Sequence, residues 1–262
     1  MKSICLLTLL LGLSLLFGCA PVEQSQEYGE IPLKVKGTPV DDVELDEGRF
    51  KVERADLAFG PLYLCSGLQA GHLCETARLE YLDSQVIDLL NEQEVSLGKL
   101  TGMSGLVRSW MYDLGIVSTF TQSRPVVLES AKELDGHSFV LEGLLTFQNR
   151  EIPVKISVVM SQTESTEQGV PLVRKSQSEF FEYSITKKEV LGQNQKAMLV
   201  QFPFDEWIQI LNFSRDLTEE KLDELCPSND SCTPWIIEED SSIFQQIKTT
   251  LLTQMRPQFE YQ

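Results

Sequence analysis

Two histidines, His72 and His137, are the side chains best suited to metal chemistry in this chain. Imidazole nitrogen binds copper and zinc, and thioether sulfur is a soft ligand for copper. Met103, Met111 or a carboxylate could therefore complete a copper or zinc site. The alternative is that His72 lies in a loop and His137 in a turn, each bonded to backbone. The second interpretation is favoured, and no cofactor is expected.

Other catalytic patterns are weak. Ser109 and Ser138 stand outside the G-x-S-x-G pattern that presents a nucleophilic serine on a sharp turn. Paired carboxylates can cleave glycosides, but 39 acidic residues make such pairs inevitable. The sequence has no glycine-rich loop of the kind that cradles phosphate. A non-enzymatic role is therefore favoured, and an enzyme stays open as an alternative.

The chain starts with Lys2 and a short apolar run from Ile4 to Phe17. This run is shorter than the roughly 20 residues that a membrane-spanning helix needs. A positive residue followed by a short apolar core is typical of a secretory signal. The run ends in Leu-Phe-Gly-Cys, residues 16–19, which resembles a bacterial lipobox. Phe17 departs from that motif because it is bulkier than the usual small residue.

The lipobox resemblance implies that residues 1–18 are removed and that Cys19 receives a diacyl group and an acylated amino terminus. Several acyl chains hold a protein on a bilayer far more firmly than one, since each buried CH₂ adds about 0.8 kcal/mol. Residue 20 is Ala rather than Asp, which in lipoprotein sorting points to the outer membrane. The expected location is therefore an outer membrane, with the domain periplasmic or surface-exposed and anchored through Cys19.

Four cysteines follow the anchor: Cys65, Cys74, Cys226 and Cys232. An even number in an exported chain suggests disulfides, with three possible connectivities. Local pairs, Cys65–Cys74 and Cys226–Cys232, are favoured because each closes a short loop. The spacings are C-x8-C and C-x5-C, which do not match the paired C-x2-C ligands of a zinc site.

The whole chain has a net charge of −17. Removing Lys2 with the leader makes the mature chain more acidic still. This balance argues against nucleic-acid binding, because phosphate binding needs basic patches, and it also argues against docking on anionic lipid headgroups. Residues 19–46 are polar, acidic and interrupted by proline and glycine, which predicts a flexible tether after the anchor.

Between residues 47 and 204 the sequence alternates apolar and polar side chains, the period of a half-buried strand. The stretch 150–160 follows 138–147 across a hairpin link, and its alternation places five apolar residues on one face: Ile152, Val154, Ile156, Val158 and Met160. Further strands are predicted at 105–116 and, as a second pair, at 180–190 and 196–202. Repeated short strands with polar turns predict a mainly β domain, an antiparallel β-sandwich or barrel.

Residues 205–262 have helical periodicity and are expected to pack on the sheet as part of the same domain. Asp205 and Thr218 are candidate N-caps, and the stretch 240–255 carries an apolar stripe that stops before Pro257. Trp110 and Trp207 are expected in the core. Trp235 is expected near the disulfide loop, exposed and able to touch a ligand.

Two resemblances concern the mature chain. The stretches 60–65, 73–77, 107–116 and 136–143 look like predicted lipoproteins of predatory and myxobacterial-type bacteria. They imply a compact extracytoplasmic β domain and no activity. The stretch 143–158, GLLTFQNREIPVKISV, is similar to a hairpin of the YceI-like proteins, a secreted barrel family that encloses a lipid-like chain.

These observations predict a lipid-anchored outer-membrane protein that acts as a non-enzymatic binding or envelope-interaction module. Its expected partners are the membrane, through Cys19, and an envelope protein or a hydrophobic small molecule, but not nucleic acid. The alternatives are a carrier that holds a lipid-like ligand in a barrel and an extracytoplasmic metal-binding protein that uses His72 and His137.

Overall fold

The computed structural model describes residues 27–45, 48–66, 77–114, 133–159, 175–177, 183–192, 196–227, 231–254 and 256–262. Within them the chain is mainly β, with helices concentrated toward the C-terminus, as the sequence predicts. The strands are β1 (Tyr28–Lys36), β2 (Asp42–Leu45), β3 (Gly48–Phe59), β4 (Leu62–Cys65), β5 (Ala77–Tyr81), β6 (Gln85–Asp88), β7 (Val95–Met103), β8 (Gly105–Val107), β9 (Ser109–Tyr112), β10 (Phe139–Phe147), β11 (Arg150–Val158), β12 (Lys175–Gln177), β13 (Tyr183–Ile185), β14 (Met198–Gln201), β15 (Trp235–Ile236) and β16 (Gln258–Tyr261). The helices are α1 (Lys187–Val190), α2 (Phe204–Ile208), α3 (Glu219–Leu225) and α4 (Ser242–Thr253).

Most of these strands belong to two sheets. The first has the order β12-β9-β4-β5-β7-β1-β14-β16, and the second has the order β15-β11-β10-β3-β2, with β6 also paired to β3. The described pairs are antiparallel except for β1 with β14 and β11 with β15, which are parallel. The first sheet curls into a half-barrel. This is seen from the rings of Trp110 in β9 and Phe259 in β16, whose centroids lie 4.8 Å apart although five strands stand between β9 and β16 in the sheet.

The interior is filled by large side chains from both sheets and the helices. Phe59 of β3 lies 5.2 Å from Tyr112 and 5.1 Å from Phe202, measured between ring centroids. Phe202 in turn contacts Trp207 of α2 edge to face. Aromatic pairs of this kind stabilise a core beyond their buried area.

The predicted hairpin over 138–160 is confirmed as β10 and β11. The strands are in register from Phe139 opposite Val158 to Phe147 opposite Arg150. The two connecting residues, Gln148 and Asn149, have φ of 48° and 62°. Two successive left-handed residues match the right-handed twist of the flanking strands, which explains so tight a link.

Gly143, in the middle of β10, allows a close approach between β10 and β3. A Cβ atom there would lie 2.3 Å from the carbonyl oxygen of Lys51 and 2.6 Å from the ring of Phe50. The pairing also shifts register between Glu142 and Gly143. Packing within this chain therefore requires a glycine at residue 143, which belongs to the stretch compared above with the YceI-like hairpin.

The prediction of a tether over 19–46 is wrong for its second half. Tyr28–Lys36 is β1, which lies inside the first sheet between β7 and β14. Ile31, Leu33 and Val35 are buried, while the residues between them point outward. Pro32 and Gly37 indicated a tether, but Gly37 instead lets the chain pass the backbone of Leu89, whose carbonyl oxygen would lie 2.0 Å from a Cβ atom.

Two other strand predictions were also wrong. The stretch 105–116 is not one strand, because β8 pairs with β13 whereas β9 belongs to the first sheet. Within the described residues, the stretch 183–190 does not pair with 196–202. It ends in α1, where Thr186 and Glu189 form a capping box in place of strand pairing. β14 instead pairs with β1 and β16.

The C-terminal helices are confirmed with one change of cap. Thr218 caps α3 by accepting a hydrogen bond from the Lys221 amide, and Ser241 caps α4 in the same manner. Asp205 is not a cap, since α2 starts one residue earlier, after Pro203, and has no side-chain cap. Among the described residues, no helix combines the length and apolar character needed to cross a membrane.

Candidate functional site

The predicted metal residues are not brought together by the part of the chain that the structure describes. His137 Nδ1 lies 2.8 Å from the carbonyl oxygen of Leu134 in a half-buried turn, in agreement with the backbone-bonded interpretation. His72 lies outside the described residues. Met103 ends β7 at the surface, whereas Met111 is buried beside Tyr63. No cluster of three or more His, Cys, Asp or Glu side chains within the described ranges could hold a metal ion.

The predicted disulfide between Cys226 and Cys232 is confirmed. It joins the end of α3 to the segment that leads into β15, where the Thr233 amide donates to the Leu225 carbonyl over 2.8 Å. Cys65 is buried in β4, and its predicted partner Cys74 lies outside the described residues, so that pairing stays a prediction. Cys19 also lies outside them, and its lipidation stays a prediction.

Trp235 is buried, in contrast to the expectation of an exposed ligand-contacting ring. It is 5 % exposed, and its ring centroid lies 6.1 Å from that of Phe213. The parallel pairing of β15 with β11 sets Trp235 opposite Val154 and turns it inward, so that Ile236 faces solvent instead. Trp110 and Trp207 are buried as predicted.

An open pocket of about 240 Å³ lies among the described residues. Its walls come from four parts of the chain: the β2–β3 hairpin, the end of β10, the loop 209–214 after α2, and Gln246 of α4. Leu145 and Phe147 form part of an apolar floor, together with Leu211 and Phe213. These apolar side chains are almost fully buried, and more of the surface that the pocket exposes is polar than apolar, so a ligand would meet mainly hydrogen-bonding groups.

The polar rim of this pocket is built mainly from amide and hydroxyl groups. Asn212 Oδ1 accepts hydrogen bonds from the Ser214 amide at 3.1 Å and the Ser214 hydroxyl at 2.6 Å. The Gln246 side-chain amide donates to the carbonyl oxygen of Ile210. These bonds hold the loop 209–214 in shape. The amide nitrogen of Asn212 and the amide oxygen of Gln246 are the other hydrogen-bonding groups of these two side chains.

Glu44 is the only ionisable side chain among the described residues that line the pocket. It stands exposed on β2, opposite Arg49 of β3. The combination of one carboxylate with Gln209, Asn212 and Gln246 can exchange hydrogen bonds with hydroxyl, amide or ammonium groups of a ligand. The sequence alone did not predict this pocket, and the only local pattern at its rim is Asn-x-Ser at 212–214.

A second group of polar residues surrounds the buried carboxylate of Glu189. Glu189 accepts a hydrogen bond from the Thr186 amide at 2.6 Å and lies 3.5 Å from Lys196 Nζ. Burial alone would raise the pKa of Glu189, but the hydrogen bonds from Thr186, the charge of Lys196 and the Tyr261 hydroxyl together lower it. The same burial and the neighbouring carboxylate raise the pKa of Tyr261. This group fastens α1 to the C-terminal strand.

The parallel pair β1–β14 determines where the pocket lies relative to residue 28. Lys36 ends β1 opposite Gln201 of β14, and its carbonyl accepts from the Phe202 amide. The segment that follows, α2 and the loop 209–214, builds the pocket. Tyr28 begins the other end of β1, which spans about 26 Å at the usual rise per residue. The pocket and the entry of the N-terminal chain therefore lie at opposite ends of this pair.

Comparisons with known proteins found no family model, no curated protein and no solved structure that matches this chain. The resemblances to lipoproteins and to the YceI-like hairpin thus stay predictions from the sequence.

Proposed function

We propose that this protein is an outer-membrane lipoprotein that acts as a non-enzymatic binding module and presents its pocket on the side away from the membrane. The observation that carries the proposal is the parallel pair β1–β14. Tyr28 begins one end of this pair and the segment that follows its other end builds part of the pocket, which supports a site turned away from the anchor. An anchored protein that binds an envelope molecule needs this separation, because the bilayer would otherwise cover its site.

The rim of the pocket indicates the chemistry of the ligand. Three side-chain amides and one carboxylate offer both donors and acceptors around an apolar floor. A ligand with hydroxyl or amide groups on one side and an apolar face on the other would satisfy both parts. We infer that the ligand is such a polar segment of an envelope protein, which could enter the open side of the pocket.

Anchoring is tested at Cys19. Wild-type chain is expected to incorporate an alkyne fatty acid and to accumulate as a precursor when globomycin blocks signal cleavage, whereas Cys19→Ser is expected to lose the label. Label that persists unchanged in Cys19→Ser would overturn the anchor.

Binding is tested with a photo-crosslinking amino acid in place of Gln209, which is exposed at the rim of the pocket. Ile236 is the matched control, since it is also exposed but lies on β15. In intact cells we expect a discrete protein adduct from position 209 that is weakened by Asn212→Ala and absent from position 236. Equal adducts at both positions, or none at 209, would contradict a binding role for the pocket.

A further inference from the structure

The end of the first sheet at which the chain enters has a composition unlike the rest of the surface. If Cys19 is lipidated, as the proposed function requires, only residues 20–27 separate the anchor from β1. Whatever conformation these residues adopt, they can reach at most about 28 Å. The first strand of the domain must therefore stay close to the bilayer, and the side chains at this end are the ones nearest to it.

Apolar side chains gather at this end. Tyr28 is 66 % exposed, and Met103 and Leu191 are each 46 % exposed. Tyr28 and Met103 are direct cross-strand partners of β1 and β7. Leu191 follows α1, whose last residue, Val190, lies against Gly29. Half of the large exposed apolar residues in the described part of the chain therefore lie at one end of one strand pair.

Basic side chains accompany them. Lys187 pairs with Glu27, and Lys188 beside it is exposed. The guanidinium of Arg78 lies close to Gly105, two residues after Met103. Three cations lie near two carboxylates, Glu27 and the buried Glu189, in a chain whose net charge is −17. The overall negative charge repels an anionic surface, so the chain can approach such a surface favourably only through the end that carries these three cations.

Aromatic and apolar side chains flanked by lysine and arginine are the combination that settles at the headgroup level of a bilayer. We propose that the surface formed by Tyr28, Met103, Leu191, Arg78, Lys187 and Lys188, here called the proximal surface, rests on the anionic headgroups of the leaflet that carries the anchor. The contact fixes the orientation of the domain and turns the pocket toward the aqueous side. The lipid surface is thus a second partner, separate from the acyl chains on Cys19.

The two ends of β7 provide a matched test. Met103 and Val95 are 46 % and 44 % exposed, and eight residues separate them along one strand. Lipidated chain carrying Met103→Cys or Val95→Cys is placed on phosphatidylethanolamine–phosphatidylglycerol vesicles. Its rate of reaction with a bulky hydrophilic maleimide is compared with that of the Cys19→Ser chain in solution. We expect a slowing of at least about fivefold for Met103→Cys and less than twofold for Val95→Cys. Equal slowing at both positions, or none at Met103→Cys, overturns the proposal.

A second measurement uses vesicle flotation without the anchor. Full-length mature chain carrying Cys19→Ser is expected to float with vesicles that contain phosphatidylglycerol. The triple variant Tyr28→Ser, Met103→Ser, Leu191→Ser is expected to lose at least about tenfold in partitioning. The control triple variant Leu82→Ser, Val95→Ser, Ile236→Ser is expected to keep it. Equal partitioning of both variants overturns the proximal surface but leaves lipidation at Cys19 intact, which the fatty-acid label reports independently.

Discussion

The replacement Gly29→Ala tests how α1 is seated on β1. A Cβ atom at residue 29 would lie 1.9 Å from the carbonyl oxygen of Val190 and 2.5 Å from its carbonyl carbon. These are backbone atoms, so no side-chain rotation can relieve the contact. Restoring an ordinary separation of about 3.3 Å requires α1 to move away from β1 by roughly 1.4 Å.

The cost follows from what α1 would give up by moving. Val190 is buried at 3 % exposure, and exposing about half of such a side chain costs about 1 kcal/mol. Glu189 would also be drawn away from Lys196 and Tyr261, and weakening a buried, charge-assisted hydrogen bond costs about 1–3 kcal/mol. We therefore expect Gly29→Ala to lower the free energy of unfolding by about 2–4 kcal/mol, within the range for overpacking.

Urea denaturation of the Cys19→Ser mature chain at neutral pH measures this change. Gly192→Ala is the matched control: residue 192 has a φ of 70° but no atom within 4 Å of the added Cβ, so only backbone strain of about 1 kcal/mol is expected. Amide exchange at Val190 and Leu191 should accelerate in Gly29→Ala alone. A loss for Gly29→Ala no larger than that for Gly192→Ala would refute the close seating of α1.

Three further outcomes are expected. Burial raises the pKa of Tyr81 to about 12 from 10.0. The stability that its buried, neutral hydroxyl contributes to the folded state is therefore fully present below pH 10 and is lost as the pH rises toward 12. Tyr81→Phe should therefore gain about 2–3 kcal/mol relative to wild type between pH 9 and pH 12 in urea titrations, and parallel pH profiles would contradict this. The double change Gln148→Asn, Asn149→Gly should raise stability by about 0.5–1 kcal/mol, because both residues have positive φ; an unchanged urea midpoint would count against the turn geometry. Cys226→Ser with Cys232→Ser should cost about 2 kcal/mol, as expected for so short a loop, and an unchanged urea midpoint in this double variant would contradict a stabilising bridge.

The parts of the fold that the sequence predicted correctly are those with complete local signals. The β10–β11 hairpin has alternation on both strands and a two-residue link, and α3 and α4 have a side-chain cap at the first turn. By contrast, the stretch 183–190 has strand-like composition, but the Thr186–Glu189 capping box ends the strand after three residues. This four-residue capping box decides that the chain turns into a helix at Thr186. The apolar–polar alternation, which is counted over a longer stretch of sequence, does not reveal so short a signal.

The pocket could not be predicted because its spacing exists only in three dimensions. Glu44 and Gln246 line one cavity although about two hundred residues separate them in the chain. Apart from the short Asn-x-Ser pattern at 212–214, its polar side chains belong to no motif with fixed spacing, since amide groups bind through their position rather than through an unusual pKa. Trp235 illustrates the same limit: its burial depends on parallel pairing with β11, which no local pattern indicates.

The position of β1 changes what the anchor can do. A spacer over the whole of 19–46 could extend about 95 Å and would let the domain face any direction. With β1 starting at Tyr28, the spacer reaches less than a third of that distance, about the length of β1 itself. If Cys19 is lipidated as proposed, a domain held this closely would touch the leaflet with the same end most of the time, so that even a weak preference of Tyr28, Met103 and Leu191 for the headgroup region would orient it. The proposed orientation of the pocket would then follow from the fold. Because β14 runs parallel to β1, the chain leaves β14 at the end of the pair opposite Tyr28, and the loop 209–214 that follows forms part of the pocket wall.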